Sequence, residues 1–234
     1  MRQAESDLVR ALPLFENVTE KHFDELMSTA FLQRFPQGVT LIREGDLPDF
    51  LHIVVEGTVE LFASHDSHET VLDILEPVTT FILAAVIRDE AYLKSARTLT
   101  PARILMIPTP AVRDVFDRDA AFARALVNEL AMRYRCVVRS LKNEKLRNSA
   151  ERLANWLLQE EAHQGNNRRV ALDIDKRTLA SRLGMTPENL SRNLGQLSKH
   201  GVITSGSQFI IEDFAALQKF AKPNHLIDHY LSKS

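Results

Sequence analysis

A group of polar side chains near the C-terminal end of the chain has the chemistry needed to contact nucleic acid bases. An arginine can donate two hydrogen bonds to guanine O6 and N7, and a glutamate can accept one from the amino group of cytosine. A serine can reach a base edge or a phosphate, and a lysine nearby can contact the DNA backbone. The predicted DNA-binding residues are Thr186, Glu188, Asn189, Ser191, Arg192 and Lys199.

The sequence around this group predicts a helix-turn-helix that would hold it. Thr186 is a residue type that caps helices, and Pro187 fits the first helical position, where a missing N–H costs nothing. Gly184 permits a left-handed turn just before this helix. Apolar residues mark the buried side of the two helices, at Leu179, Ala180 and Leu183 and then at Leu190, Leu194 and Leu197. The alternative is a helix-turn-helix whose polar residues are ordinary solvated surface.

Two apolar runs after the helix-turn-helix predict a β-hairpin wing. Val202-Ile203 and Phe209-Ile210-Ile211 flank the turn Ser205-Gly206-Ser207. The glycine in this turn favours a hairpin.

A long helix with one apolar stripe is predicted after Pro110. Its apolar residues recur at steps of three and four, which is the spacing of a coiled-coil seam. The predicted dimer seam consists of Val127, Leu130, Tyr134, Val137 and Leu141. Basic residues on both sides keep the stripe narrow, which favours a seam between two copies of the chain. A helix packed on its own β-rich domain is the alternative.

The residues before this helix predict a small β-structure. After short helices between Glu5 and Ala30, runs of Val, Ile, Leu, Phe and Thr alternate with turns up to about Pro108. This spacing is typical of a β-barrel or roll. We therefore expect an α+β chain with a β-roll sensor domain at 1–117, a dimerisation helix and hinge at 118–147, and a winged helix-turn-helix domain at 148–234.

Charge and cysteine content limit the class of function. Residues 1–110 contain 9 Lys and Arg against 17 Asp and Glu, whereas residues 111–234 contain 20 against 14, so the C-terminal part can face a polyanion. The single cysteine, Cys136, excludes an iron–sulfur cluster held by several cysteines, and we interpret it as a packing residue.

Targeting and catalytic signals are missing from the sequence. Without a signal sequence or a long apolar run, we expect a cytoplasmic protein with no membrane partner. An enzyme is the weakest interpretation, because there is no nucleophile–base grouping, Gly-rich phosphate loop or metal triad.

The order of these parts resembles the CRP/FNR family of bacterial transcription regulators over nearly the whole chain. The stretch Glu188-Asn-Leu-Ser-Arg192 is similar to the E-x-x-S-R motif of the FNR-like branch, and Gly45-Asp46 and Val55-Glu-Gly-Thr-Val59 are similar to turn motifs of the family's β-roll. The resemblance implies a homodimer that reads a TTGAT-like palindrome in double-stranded DNA and works with RNA polymerase. It also implies that an effector bound in the roll controls DNA affinity.

The sensor half departs from the cassette of the family's cyclic-nucleotide-binding members, F-G-E-L followed by an R-S/T pair. The corresponding stretch is Phe81-Ile-Leu-Ala-Ala85, and then Lys94-Ser95. Ile82 replaces the glycine that allows close backbone approach, and Leu83 replaces the glutamate that holds the ribose hydroxyl. Cyclic AMP is therefore not expected, and an apolar or haem-like effector is the leading interpretation. A cyclic-nucleotide-binding sensor is the alternative. The predicted effector pocket consists of Ile82, Leu83, Ala84, Ala85, Lys94, Ser95 and Tyr134.

Scattered histidines leave a haem interpretation open. His22 and His52 are candidates for an axial ligand, although an ordinary structural role explains a lone histidine better. His65 and His68 are interpreted as part of a solvated turn, so no metal site is predicted.

Overall fold

A computed structural model of the chain describes residues 3–66, 68–165 and 167–228. By its internal contacts the chain divides into two compact units, Met1–Tyr134 and Arg135–Ser234. This division lies inside the segment 118–147 that was predicted as dimerisation helix and hinge. The predicted three-domain boundaries therefore remain a prediction.

The helices of the described residues are α1 Gln3–Arg10, α2 Glu20–Thr29, α3 Leu83–Arg88, α4 Thr109–Arg118, α5 Ala120–Leu146, α6 Ser149–His163, α7 Lys176–Arg182, α8 Pro187–Leu197 and α9 Phe214–Ala221. The strands are β1 Phe31–Phe35, β2 Thr40–Ile42, β3 Phe50–Glu56, β4 Val59–His65, β5 His68–Leu75, β6 Thr79–Phe81, β7 Ser95–Thr98, β8 Ala102–Pro108, β9 Arg169–Ala171, β10 Val202–Ser205 and β11 Gln208–Ile211. A 3₁₀ turn, Ser198–His200, follows α8.

The first unit contains the predicted β-roll. Its strands form two antiparallel four-stranded sheets, in the orders β1-β8-β3-β6 and β2-β7-β4-β5. Alternate residues of β3 point to opposite sides, because side chains alternate along a strand. Val54 packs inside the roll with Val59, Leu61 and Ile104, a cluster that we call the roll core. Leu51 and Ile53 face the other way, into a second cluster with the helices.

This second cluster, the helical core, joins α1, α2, α4 and the start of α5 to the outer face of the sheet that contains β3. Phe15 and Phe122 are both fully buried in it, with ring centroids 6.2 Å apart. Phe122 and Leu126, one helical turn apart, provide the buried side of α5. The N-terminal helices, predicted from apolar spacing and interrupted at Pro13, are confirmed.

Asp119 fixes the start of α5. Its Oδ1 accepts hydrogen bonds from the backbone N–H groups of Ala121 and Phe122, each at 2.9 Å. Its Oδ2 accepts from the Thr19 backbone N–H at 3.2 Å and lies 2.8 Å from His22 Nδ1. Burial acts to raise the pKa of Asp119, but the bonds from Phe122, His22 and Thr19 outweigh it and hold the pKa well below its usual range. A carboxylate therefore ties α2 to the first turn of α5.

The second unit is the winged helix-turn-helix. Its core is formed by α6, α7, α8 and α9 against a sheet of order β10-β11-β9. The wing is the hairpin of β10 and β11, in which Ser205 pairs with Gln208. Strand β9, which pairs with β11, was not predicted from the sequence. The α+β fold class, with roll, long helix and winged helix-turn-helix, is confirmed.

Candidate nucleic-acid interface and effector region

The start of α8 is built as its sequence predicts. Thr186 is the N-cap, and its hydroxyl accepts a hydrogen bond from the Asn189 backbone N–H at 3.3 Å. Pro187 occupies the first turn. Leu190 and Leu197 are buried in the core of the second unit, which leaves the opposite side of the helix in solvent.

The predicted base-contacting residues lie on this solvent side. Glu188, Ser191 and Arg192 are exposed, whereas Asn189 is half-buried. Lys199 is exposed on the 3₁₀ turn that follows α8. The structure thus brings the predicted residues to one short helix and the turn after it.

The two charged groups of this face, Arg192 and Glu188, differ in their contacts within the chain. Within the described residues, Arg192 takes part in no ion pair, so its guanidinium can bind an external acceptor. The pKa of Glu188 is lowered by its own backbone N–H and by the Thr186 hydroxyl, which keeps it a hydrogen-bond acceptor at neutral pH.

Arg152 of α6 links α6 to the turn before α8. Its Nε donates to Leu183 O at 2.9 Å, and its Nη2 donates to Gly184 O at 3.1 Å. Gly184 has a φ of 62°, the left-handed conformation that its position in the turn was predicted to need. Sequence reasoning did not find Arg152, because the carbonyls that it contacts in this turn are about thirty residues away.

The predicted dimer seam is mostly exposed on α5. Tyr134 is 70% exposed and Val137 is 64% exposed, and Val127 and Leu141 are also exposed. Leu130 differs, because it packs against the helical core. Four large apolar side chains at heptad spacing are therefore left uncovered by the residues that the structure describes.

The structure does not bring all of the predicted effector residues together. Ile82 and Ala85 pack in the roll core, whereas Leu83 packs in the helical core on the opposite side. Ala84 and Tyr134 are exposed. The expectation that Ile82 and Leu83 both face the effector is corrected, because the turn at Ile82 directs the two side chains to different cores.

Ile82 adopts a backbone conformation that normally requires glycine. It caps α3 with a φ of 58° and a ψ of 23°, and its side chain makes no cap hydrogen bond. Left-handed backbone is unfavourable for a β-branched residue. The position therefore keeps the geometry of a glycine turn while its side chain fills the roll core.

The Lys94-Ser95 pair lies at the start of β7. Burial lowers the pKa of Lys94, Asp73 opposes this shift, and Arg133 of α5 adds to it. The Ser95 hydroxyl accepts a hydrogen bond from the Glu44 backbone N–H at 3.0 Å. Lys94 therefore lies close to a second cation from α5.

His52 is a neutral ring inside the roll. It stacks on Phe81 with ring centroids 5.1 Å apart. Burial lowers the pKa of His52 to about 4, and an interaction with the backbone of Phe50 only partly opposes this shift. His65 and His68 face each other at the exposed β4–β5 turn, and Ser67 between them lies outside the described residues.

A cleft of about 390 Å³ lies on the helical side of the sheet. Its α5 wall consists of Ala121, Arg124, Ala125, Asn128, Glu129 and Met132, and the fully buried Ile53 lies among its other lining residues. Glu129 is already bonded to Thr80 at 2.9 Å and to Arg133 at 3.0 Å. Among the described residues Arg124 has no ion pair. None of the predicted effector residues lines this cleft, and no sequence motif marked it.

The described residues show neither a candidate metal site nor a membrane span. They contain no cluster of three or more His, Cys, Asp or Glu side chains that could hold a metal ion. They also contain no helix with the length and apolar character of a membrane span.

Comparison with known proteins links both units to one family. The profile of the cyclic nucleotide-binding domain matches residues 32–119, and that of the Crp-like helix-turn-helix domain matches residues 151–220. The CRP-like cAMP-activated global transcriptional regulator of Mycobacterium tuberculosis is 26% identical over 194 residues, which cover 80% of this chain and 87% of that protein.

Solved structures show the same architecture. A candidate cyclic nucleotide binding protein from Ruegeria pomeroyi has a TM-score of 0.59 and 27% identity, covering 95% of this chain and 100% of that one. A candidate CRP/FNR regulator from Eubacterium rectale has a TM-score of 0.75 at 19% identity, over 91% and 99%, which shows the fold alone. With an effector-binding domain before a DNA-binding helix-turn-helix, this chain belongs to the CRP/FNR family of bacterial transcription regulators.

Proposed function

We propose that this chain forms a homodimer that binds a TTGAT-like palindrome and that an effector bound in the first unit controls its DNA affinity. The observation that carries the proposal is the exposed side of α8, where Glu188, Ser191 and Arg192 project from a capped helix. Helix N-terminal residues of this kind contact base edges in the major groove. We also expect it to act with RNA polymerase in the cytoplasm, as its family resemblance implies.

The proposed roles follow from the chemistry of each side chain. Arg192 donates two hydrogen bonds to guanine, and Glu188 accepts one from a cytosine amino group, with Ser191 assisting. Thr186 and Asn189 form the start of the helix that approaches the DNA. Lys199 contacts a phosphate, which adds affinity without reading sequence.

Gel retardation tests the proposed DNA sequence. Full-length protein should bind a duplex with two TTGAT half-sites about one helical turn apart, and bind a shuffled duplex of equal length much more weakly. Equal retardation of the two duplexes would refute sequence-specific recognition of this palindrome.

The proposed dimer uses the exposed stripe of α5. Two helices that bury Val127, Tyr134, Val137 and Leu141 against their copies would remove this apolar surface from water. Replacing Val137 and Leu141 together with Asp should produce monomers in sedimentation, since neither side chain belongs to a hydrophobic core of the described residues. Arg135→Asp with Arg139→Asp, off the stripe, is the control. A double Asp variant that still sediments as a dimer would place the interface elsewhere.

For the effector we propose a ligand less polar than cyclic AMP that contacts α5 from the cleft. This proposal is supported by the position of the cleft, because its wall includes α5, the helix that contains the proposed dimer seam. Native mass spectrometry and an absorption spectrum of purified protein would detect a retained ligand, including haem. The variant Ala125→Trp, which fills the cleft, should lose that ligand.

A cyclic-nucleotide sensor is the second candidate. It is favoured by the match to the cyclic nucleotide-binding domain and by the relative described as cAMP-activated. Ile82 and Leu83 argue against it, since their side chains are buried in two different cores. Calorimetry with cyclic AMP should show no saturable binding, and micromolar binding would establish this second candidate.

A further inference from the structure

The junction between α5 and α6 is held by residues from the far end of the chain. Only Arg147 and Asn148 separate the two helices. After α9 the chain returns to this junction as a short segment, residues 222–228, which we call the C-terminal strap. Within the strap the Asp228 backbone N–H donates to Asn224 O at 2.7 Å, so the turn is closed on itself.

A buried ion pair joins the strap to the junction. Arg147 Nη1 donates to Asp228 Oδ1 and Arg147 Nη2 donates to Asp228 Oδ2, each at 2.7 Å. The two side chains are 7% and 6% exposed. Asp228 also accepts from the Asn224 backbone N–H at 2.6 Å, and Arg147 donates to Asn143 of α5 at 3.0 Å. Such a two-bonded pair fixes the orientation of both groups, and removing one partner leaves a buried charge.

The same junction is bonded to the helix-turn-helix. Arg152 Nη1 donates to Arg147 O at 3.0 Å, while its other nitrogens donate to Leu183 O and Gly184 O in the turn before α8. One side chain therefore connects the junction backbone with the turn before α8. All of these residues lie in the second unit, which includes the last part of α5.

We propose that Arg147 and Asp228 are positioning residues for DNA recognition, and that the C-terminal strap locks the α5–α6 junction so that α8 keeps one orientation relative to the end of α5. In the proposed dimer this orientation sets the separation between the α8 helices of the two copies. The inference rests on the proposed function for its DNA readout. The lock itself has a readout that does not need DNA.

The main test compares half-site spacing in the full-length protein. Asp228→Asn keeps the size of the side chain and removes its charge. We expect affinity for the palindrome of native spacing to fall about tenfold, while affinity for a single half-site stays within about twofold. The ratio of affinities for the palindrome of native spacing and for one with two inserted base pairs should therefore become smaller. A general electrostatic effect would act in the opposite direction, because removal of a negative charge favours DNA binding.

Glu212→Gln is the matched control, since it removes one exposed negative charge from the same unit. Its spacing preference should equal that of the wild type. Fluorescence of the single tryptophan, Trp156, which is buried in the second unit, checks that each variant is folded. If Asp228→Asn weakens folding, the charge swap Arg147→Asp with Asp228→Arg should restore spacing preference relative to either single change.

Amide hydrogen exchange without DNA tests directly whether the Arg147–Asp228 pair holds the α5–α6 junction in place. Asp228→Asn should speed exchange at the junction, residues 147–149, and in the turn 183–185, whereas Glu212→Gln should leave both at the wild-type rate. Unchanged exchange in a folded Asp228→Asn protein would overturn the proposal, as would full spacing preference in that variant. Failure of the wild type to prefer the palindrome would instead refute the proposed function and leave the exchange result to decide on the lock.

Discussion

Two helix starts, at α8 in the second unit and at α3 in the first, use opposite means to begin a helix. At α8 a threonine side chain caps the first turn, a proline follows, and the next polar residues face solvent. At α3 the capping position is Ile82, in left-handed backbone and without a side-chain cap bond, and the next residue, Leu83, is buried. One helix start is accessible to a ligand, and the other is filled by the protein's own side chains.

The difference indicates where each half keeps its ligand-binding chemistry. The DNA-binding unit has the side chains that an external partner needs, on a helix whose buried side is satisfied by its own core. In the sensor unit the residues that correspond to the cyclic-nucleotide cassette are packed inside the protein. Ile82 lies in the roll core and Leu83 in the helical core. An effector would then contact other residues, such as the α5 wall of the cleft.

Among the changes at these two helix starts, the largest effect is expected from placing the family's acidic residue at position 83 of α3. Leu83→Glu places a carboxylate in the helical core, and burial of an unpaired charge should lower the free energy of unfolding by on the order of 4 kcal/mol. Urea unfolding followed by circular dichroism measures this. Ala84→Glu, exposed on the same helical turn, should stay within about 0.5 kcal/mol of the wild type. A Leu83→Glu protein as stable as the wild type would show that the side chain at position 83 is accessible to water and not buried.

The pH dependence of stability tests the packing inside the roll. The pKa of His52 is about 4 in the folded chain and 6.5 as the reference value. Because the unfolded chain takes up the proton first, stability is fully present above pH 6.5 and is lost as pH falls towards 4. We expect a loss on the order of 3 kcal/mol, and a flatter profile for His52→Phe. His65→Phe, on the exposed turn, should keep the wild-type slope, and an unchanged slope in His52→Phe would contradict the assignment.

A smaller effect is expected at the cap of α8. Thr186→Ala removes the acceptor for the Asn189 N–H and should cost about 1 kcal/mol of unfolding free energy. Ser191→Ala removes a hydroxyl from the exposed middle of the same helix and should be close to neutral. Trp156 fluorescence in urea reports on this unit. Equal stability of the two variants would mean that the cap bond contributes nothing.

The helix-turn-helix could be predicted because its signals are local. Thr186, Pro187 and Gly184 each have a preferred backbone position that the sequence alone reveals, and Leu190 and Leu197 repeat at helical spacing. The wing and the long helix could be predicted for the same reason, and the structure contains both. Strand β9 is only three residues long and depends on pairing with β11, so it has no periodic pattern from which it could be predicted.

The effector region could not be predicted as well, because the directions of its side chains depend on tertiary structure. The sequence indicated that Ile82 and Leu83 replace a glycine and a glutamate, but not that they turn to different cores. Likewise, Arg147 and Asp228 are separated by 81 residues, and nothing near either one indicates the other. The predicted site residues on α8 remain predictions until DNA binding is measured.

Base recognition by Arg192 of α8 can be measured with one set of affinities. Fluorescence anisotropy should be measured for wild type, Arg192→Ala and Lys199→Ala on the TTGAT palindrome and on DNA in which the guanine of each half-site is replaced. Arg192→Ala should cost about 1–3 kcal/mol per half-site on the palindrome and much less on the altered DNA, whereas Lys199→Ala should weaken both equally. An equal loss on both DNAs for Arg192→Ala would show that Arg192 contacts only the DNA backbone and does not read a base.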